Sequence, residues 1–364
     1  MSANAKLKPM SMPAIQLTAI NYDQAEQEFI ELLEMENLDK KVAAKPSIVS
    51  NFEKALTTAI KAAYGESAGD NSAHRFLHRV LYRINRLKLF WYDDLRRYTN
   101  ERSAYLQTVR DQIEAAWQQW ELAQLDVATL QQLNVAQVKQ ALLDRGDADL
   151  NPPLSEDSRY LREQMSETGY RRVLAIGSFD GLVEGSRMCA ILGGAANEVQ
   201  STLTRVLIEE YGNGRLSRKH STYFAQMLEE FGMNTEPESY FDLVPWEVLA
   251  CANHNFLLTD CKRHFLRYNG GLTYFEVAGP AAYRNYLAAA QRLELSAAAM
   301  GYWELHIRED ERHGRWMLDD VALPLAEKYP ENAWELLLGY DQEKLMGDRA
   351  GAAVVRSARE AEQK

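Results

Sequence analysis

The sequence predicts an all-α protein. Apolar residues recur at three- and four-residue steps along most of the chain, the period of a helix with one buried face. Between Asn21 and Leu150 there is neither an alternating strand pattern nor an Asn-Gly hairpin. Glycines at 65, 69 and 146 and the paired prolines at 152 and 153 fall where helices should end. In chain order, residues 1–20 read as a flexible tail. Residues 21–150 read as a helical accessory domain, with long runs at Leu81–Asp94 and Ala104–Leu125. Asp147–Ser155 is the candidate linker. A second helical domain follows over 158–329, and 330–364 is a C-terminal helical tail. Its Ala-, Glu-, Arg- and Lys-rich part, Asp341–Lys364, is expected to be exposed or frayed.

With 364 residues the chain can bury two sizeable cores. Its 46% hydrophobic and 26% charged content is that of an ordinary globular protein. A net charge of −11 argues against nucleic-acid binding, which uses basic patches. No apolar run is long enough for a membrane span, and the first 20 residues carry no signal-peptide pattern. Cys189, Cys251 and Cys261 lack CxxC spacing, which suits a reducing cytoplasm and excludes a cysteine zinc cage. A cytoplasmic location is therefore expected.

The chemistry concentrates between Trp303 and Met317. His306, Asp310 and His313 sit at i, i+4 and i+7, on one helical stripe flanked by those two apolar residues. Polar groups on an inward seam need partners, and a metal ion suits two imidazoles and a carboxylate. A hydrogen-bonded core cluster is the alternative reading. The same stripe test places Glu210 after Val199, Leu203 and Val206, and His220 before Phe224, Met227 and Phe231. Glu209 falls on a polar face with Glu198, Thr202 and Arg205, as an i,i+4 partner for Arg205. Glu276, just before Gly279-Pro280, is placed near an element end, where pairing with a neighbouring cation is its alternative. Together Glu210, His220, Glu276, His306, Asp310 and His313 form a mixed N/O set suited to iron or manganese, with carboxylates able to bridge two ions. A ferritin-like site would supply two Glu-x-x-His pairs, whereas only Asp310-x-x-His313 is present. His74 and His78 read as a surface or interface pair, His254 and His264 as satisfied structural groups, and Tyr302 and Trp303 as core. Arg205, Lys219, Arg308 and Arg312 read as solvated.

The intervals of 10, 56 and 30 residues that lead from Glu210 through His220 and Glu276 to the closing His-x3-Asp-x2-His resemble the haem-oxygenase-like di-iron oxidases. Within them the chain most resembles the N-oxygenases of nitrosourea and diazeniumdiolate biosynthesis, including their N-terminal dimer-forming helical domain. The resemblance implies a haem-oxygenase-like bundle with two irons, O2 as co-substrate and electrons from a reductase or small reductant. It further implies a homodimer that N-hydroxylates a small, amino-acid-like amine or guanidine. Glu210, His220 and Glu276 would then hold one iron, with His306, Asp310 and His313 completing the pair. Some such enzymes continue into a cupin, for which a chain ending at Lys364 leaves no room. The same site could instead drive C–H abstraction, ending in desaturation, decarboxylation or C–C cleavage. Outside catalysis, the chain could be a helical scaffold or regulatory binding protein.

Overall fold

The computed structural model describes residues 20–65, 69–90, 94–194 and 197–364, so the expected tail over 1–20 lies almost wholly outside the described residues. Among them every regular element is helical. The first half contributes α1 (Tyr22–Leu33), α2 (Leu38–Ala44), α3 (Ser50–Tyr64), α4 (Asn71–Arg86), α5 (Ala104–Leu122), α6 (Val127–Leu130) and α7 (Val135–Leu150). The second contributes α8 (Glu156–Arg159), α9 (Glu167–Gly181), α10 (Glu198–Glu210), α11 (His220–Glu230) and α12 (Trp246–Asp260). It closes with α13 (Phe265–Arg292), α14 (Ala297–Trp316), α15 (Leu323–Lys328) and α16 (Trp334–Glu362).

Short polar residues set many of the starts. Asp70 accepts from the Ser72 and Ala73 amides, and Asn134 with Gln137 forms a reciprocal capping box. Ser103, Ser166, Asn197 and Ser296 each accept an amide of their own first turn. The run expected over Leu81–Asp94 stops at Arg86, and Gly146 lies inside α7 rather than at a turn.

One core joins Phe29, Phe52, Phe76, Leu77 and Trp117 with Ala250 of α12 and Met346 of α16. A second packs Val138 and Leu142 of α7 against Met317, Val321, Leu336 and Tyr340. Each large apolar side chain buried this way contributes about 1.5–3 kcal/mol. Both cores cross residue 150, so the segment after α7 joins helices that share a core. His74 and His78 are buried at the α4–α12 contact and not on the surface. His74 stacks on Trp246 with ring centroids 4.2 Å apart, and Tyr64 Oη lies 3.1 Å from His78 Nε2. Burial and the nearby Arg349 charge push His74 down to about 4, so it packs as a neutral ring. His254 is fully buried with no hydrogen bond to either ring nitrogen among the described residues, contrary to the expected satisfied group.

The C-terminal segment departs most from expectation. Asp341–Glu362 belongs to α16, which buries Gln342, Met346, Ala353, Val355 and Ala358 along α13 and α9. Two of its charged residues form ion pairs across the fold, Arg356 with Glu247 at 2.6 Å and Lys344 with Asp149 at 2.7 Å. Two glycines set the α13–α16 crossing. A Cβ on Gly270 would lie 1.9 Å from the Leu336 carbonyl oxygen, and one on Gly339 would lie 1.9 Å from that of Arg267. The two backbones therefore touch, which fixes the position of α13 in the bundle.

Candidate metal centre

The six predicted residues converge on one buried cluster carried by α10, α11, α13 and α14. Glu210 is the last residue of α10 and His220 the first of α11, with a tight turn between them. Glu210 Oε2 lies 2.8 Å from His220 Nδ1, and that nitrogen lies 3.2 Å from His306 Nε2. From the other side, His313 Nδ1 lies 3.7 Å from Glu210 Oε1, 3.4 Å from Glu276 Oε2 and 3.9 Å from Asp310 Oδ1. Glu210 thus stands between two groups, His220 with His306 on one side and Asp310 with His313 on the other. This changes the expected division: His306 pairs with His220, while Glu276 pairs with His313. His306 and His313 are seven residues apart on α14, an axial rise of about 10.5 Å, and fall in different donor groups.

Glu276 is not at an element end. It lies inside the 28-residue α13, where Pro280 offers no amide to the Glu276 carbonyl four residues earlier. Opposite it, a Cβ on Gly314 would come within 3.0 Å of that carbonyl oxygen, so glycine lets α14 approach. A Cβ on Gly279 would likewise lie 2.9 Å from Asp310 Oδ2.

Two further carboxylates belong to the cluster. Glu184, just beyond α9, lies 3.7 Å from His306 Nε2 and accepts a 2.5 Å hydrogen bond from the Tyr302 hydroxyl. Sequence reasoning missed it because a turn residue has no periodicity. Its only signal is an acid between apolar Val183 and a Gly185 with φ of 75°. Glu209 pairs loosely with Arg205, as expected, at 3.9 Å. It also takes a 2.5 Å hydrogen bond from Arg312 and lies 2.9 Å from His313 Nε2. With Nε2–H donated to Glu209, Nδ1 of His313 is left facing the cluster. His306 is held the same way, since its Nδ1 lies 2.9 Å from the Tyr302 carbonyl and leaves Nε2 inward. Arg312, paired with Glu209 and Glu309, is a rim residue and not a free solvated cation.

The electrostatics call for a cation. Burial, then the neighbouring carboxylates, pushes Asp310 and Glu184 well above the usual carboxylate range. Glu276 is raised by burial against the pull of His313. Burial acts on Glu210 in the same direction, but His220, His306 and His313 outweigh it and hold it low. Burial and His220 push His306 down to about 4. His313 rises to about 9 despite burial, because Glu276, Glu209 and Glu210 surround it. Asp310 Oδ2, His313 Nδ1 and Glu184 Oε1 are buried without a hydrogen-bond partner among the described residues. Unpaired acceptors and inward imidazole nitrogens at this density fit a metal site, because a metal ion satisfies them at once where further hydrogen bonds do not. Since Glu209 orients His313 from outside, Glu209→Ala should lower iron affinity by about 10- to 100-fold. Competition against a chelator measures this, and unchanged affinity would refute the orienting role.

A cavity of about 210 Å³ opens onto the cluster, lined there by Glu184, Glu210, Glu276, Tyr283, Tyr302 and Asp310. No described helix is long and apolar enough to cross a membrane.

Comparison with known proteins agrees with this geometry. Residues 171–342 match the profile of the iron-containing redox enzymes. Over 168 residues, 46% of this chain, the sequence is 27% identical to a nitrosourea synthase of Streptomyces achromogenes subsp. streptozoticus. The match spans only 36% of that relative's length. Residues 171–342 contain all six predicted residues as well as Glu184 and Glu209. With its all-helical architecture, the region 171–342 belongs to the haem-oxygenase-like, iron-containing redox enzymes.

Proposed function

We propose that the protein is a non-haem di-iron oxygenase that N-hydroxylates a small amine or guanidine metabolite. The observation that carries this reading is Glu210 standing between two clusters of donors beside a cavity. Four carboxylates, the buried Glu210, Glu276 and Asp310 and the partly buried Glu184, would carry four negative charges, which two divalent ions neutralise. The three histidines then supply neutral nitrogen donors. Two ferrous ions held there would supply electrons to O2.

The chain's own residues do the rest. Tyr302 holds Glu184 and, through its carbonyl, His306, while Glu209 holds His313. Metal binding displaces the proton that His313 carries in the metal-free protein. The stoichiometry is RNH2 + O2 + 2e⁻ + 2H⁺ → RNHOH + H2O, so a reductase or small reductant is a required partner. We further propose a cytoplasmic homodimer.

Loading the metal-free chain anaerobically with ferrous iron should bind about two ions. It should also raise the melting temperature by several degrees, since free iron at 100 times Kd contributes about 2.7 kcal/mol. Oxygen and a reductant should then yield an amine product heavier by one oxygen atom. Loss of CO2 or of two hydrogens would transfer the site to C–H chemistry. Absence of iron binding would overturn the reading.

A further inference from the structure

Besides the donors, the same cavity is lined by Asp180, Arg187, Cys251, Asn255, Gly271 and Glu343. Arg187 donates through Nη2 to Asp180 and through Nε to Asn255 Oδ1 at 3.1 Å, so its charge is matched by that of Asp180. Glu343 reaches the cavity from α16. Among the described residues no hydrogen bond or ion pair ties its carboxylate. It rests against α13, where a Cβ on Gly271 would lie 3.4 Å from its Oε2. Gly271 precedes Glu276 by five residues, an axial rise of about 7.5 Å. α13 therefore carries Glu276 of the donor cluster and, about a turn and a half earlier, the glycine against which Glu343 of α16 rests. Burial pushes Glu343 up to about 7, with Arg187 opposing and Asp180 adding to the rise. A carboxylate in that position is stabilised by a cation brought into the cavity.

We infer that Glu343 is a specificity residue that binds a cationic group at the far end of the substrate. This deepens the proposed oxidation, and rests on it for taking the cavity as the substrate pocket. The substrate class is a small molecule with two basic nitrogen groups joined by a short chain, for which a five-carbon diamine with about six single bonds of ~1.5 Å between its nitrogens is the probe. One nitrogen meets the donor cluster and the other pairs with Glu343.

Three probes of equal chain length separate the charge preference: 1,5-diaminopentane, n-pentylamine and 5-aminopentanoate. Their binding to the full chain is measured by calorimetry without oxygen, on iron-loaded and metal-free protein. The diamine should bind at least tenfold tighter than the monoamine, and 5-aminopentanoate most weakly. Glu343→Gln should bring diamine and monoamine within about twofold at unchanged iron content. It should not lower the melting temperature, because it removes an unmatched charge. Glu343→Lys should reverse the order in favour of 5-aminopentanoate. A diamine preference that survives Glu343→Gln, or none in the parent protein, would overturn the inference. Because these are binding measurements, failure of oxygen chemistry alone would sink the oxidation and leave Glu343 recognition standing.

Discussion

Glu210→Ala is expected to abolish iron binding at both positions. Glu210 is the residue shared by the His220/His306 and Asp310/His313 groups, with one oxygen facing each. Removing an outer partner of a metal ligand costs about 10- to 100-fold in affinity, so removing the shared carboxylate should cost more. Iron content should fall from about two ions per chain to well below one. Oxygen consumption with any substrate should fall by at least ~100-fold. His306→Ala, by contrast, leaves the Asp310/His313 group intact and should retain about one ion. Iron analysis after desalting, with oxygen-electrode traces, decides between them. Two ions retained by Glu210→Ala would show that the clusters are held independently.

Gly339→Ala should have the largest effect on stability. The new methyl would lie 1.9 Å from the Arg267 carbonyl oxygen, in a crossing where both partners are helix backbone and no side chain can turn aside. The helices must separate by more than an ångström, which breaks the packing of Leu336, Leu337 and Tyr340. The cost should exceed about 4 kcal/mol, in the range of severe overpacking and lost core contacts. The variant should melt far below the parent or fail to fold, and what folds should bind iron weakly, because α13 carries Glu276. Gly351→Ala is the control. It lies on the same helix, a Cβ there meets nothing within 4 Å, and the change should stabilise by about 0.5–1 kcal/mol. Thermal melts of the two, side by side, separate a contact effect from helix propensity. Equal melting temperatures would refute the close crossing.

Much of the donor set is legible in the sequence. His306, Asp310 and His313 stand out because helical periodicity alone brings i, i+4 and i+7 to one stripe, whatever the rest of the chain does. The same holds for Glu210 and His220, each closing or opening an apolar stripe beside the Gly212 turn. Glu276 is legible as a candidate but not as to its face, because Gly279-Pro280 reads as a helix end. Tertiary packing against α14 and α16 keeps α13 helical through the proline.

What the sequence by itself determined is the all-helical class and the presence of a carboxylate–histidine set, because both follow from local period and residue type. What only the tertiary structure decided is which donors share a position. Glu184 comes from a turn, Glu209 reaches His313 from the polar face of α10, and His220 meets His306 across 86 residues of chain. The place of α16 was hidden for a similar reason. Its composition is that of a solvated helix, yet its glycines and alanines permit a backbone contact with α13, and the same register puts Glu343 in the cavity. Periodicity reports which side of a helix is buried. The partner is chosen by the crossing of helices distant in sequence, and that crossing depends on small residues whose significance appears only when two backbones meet.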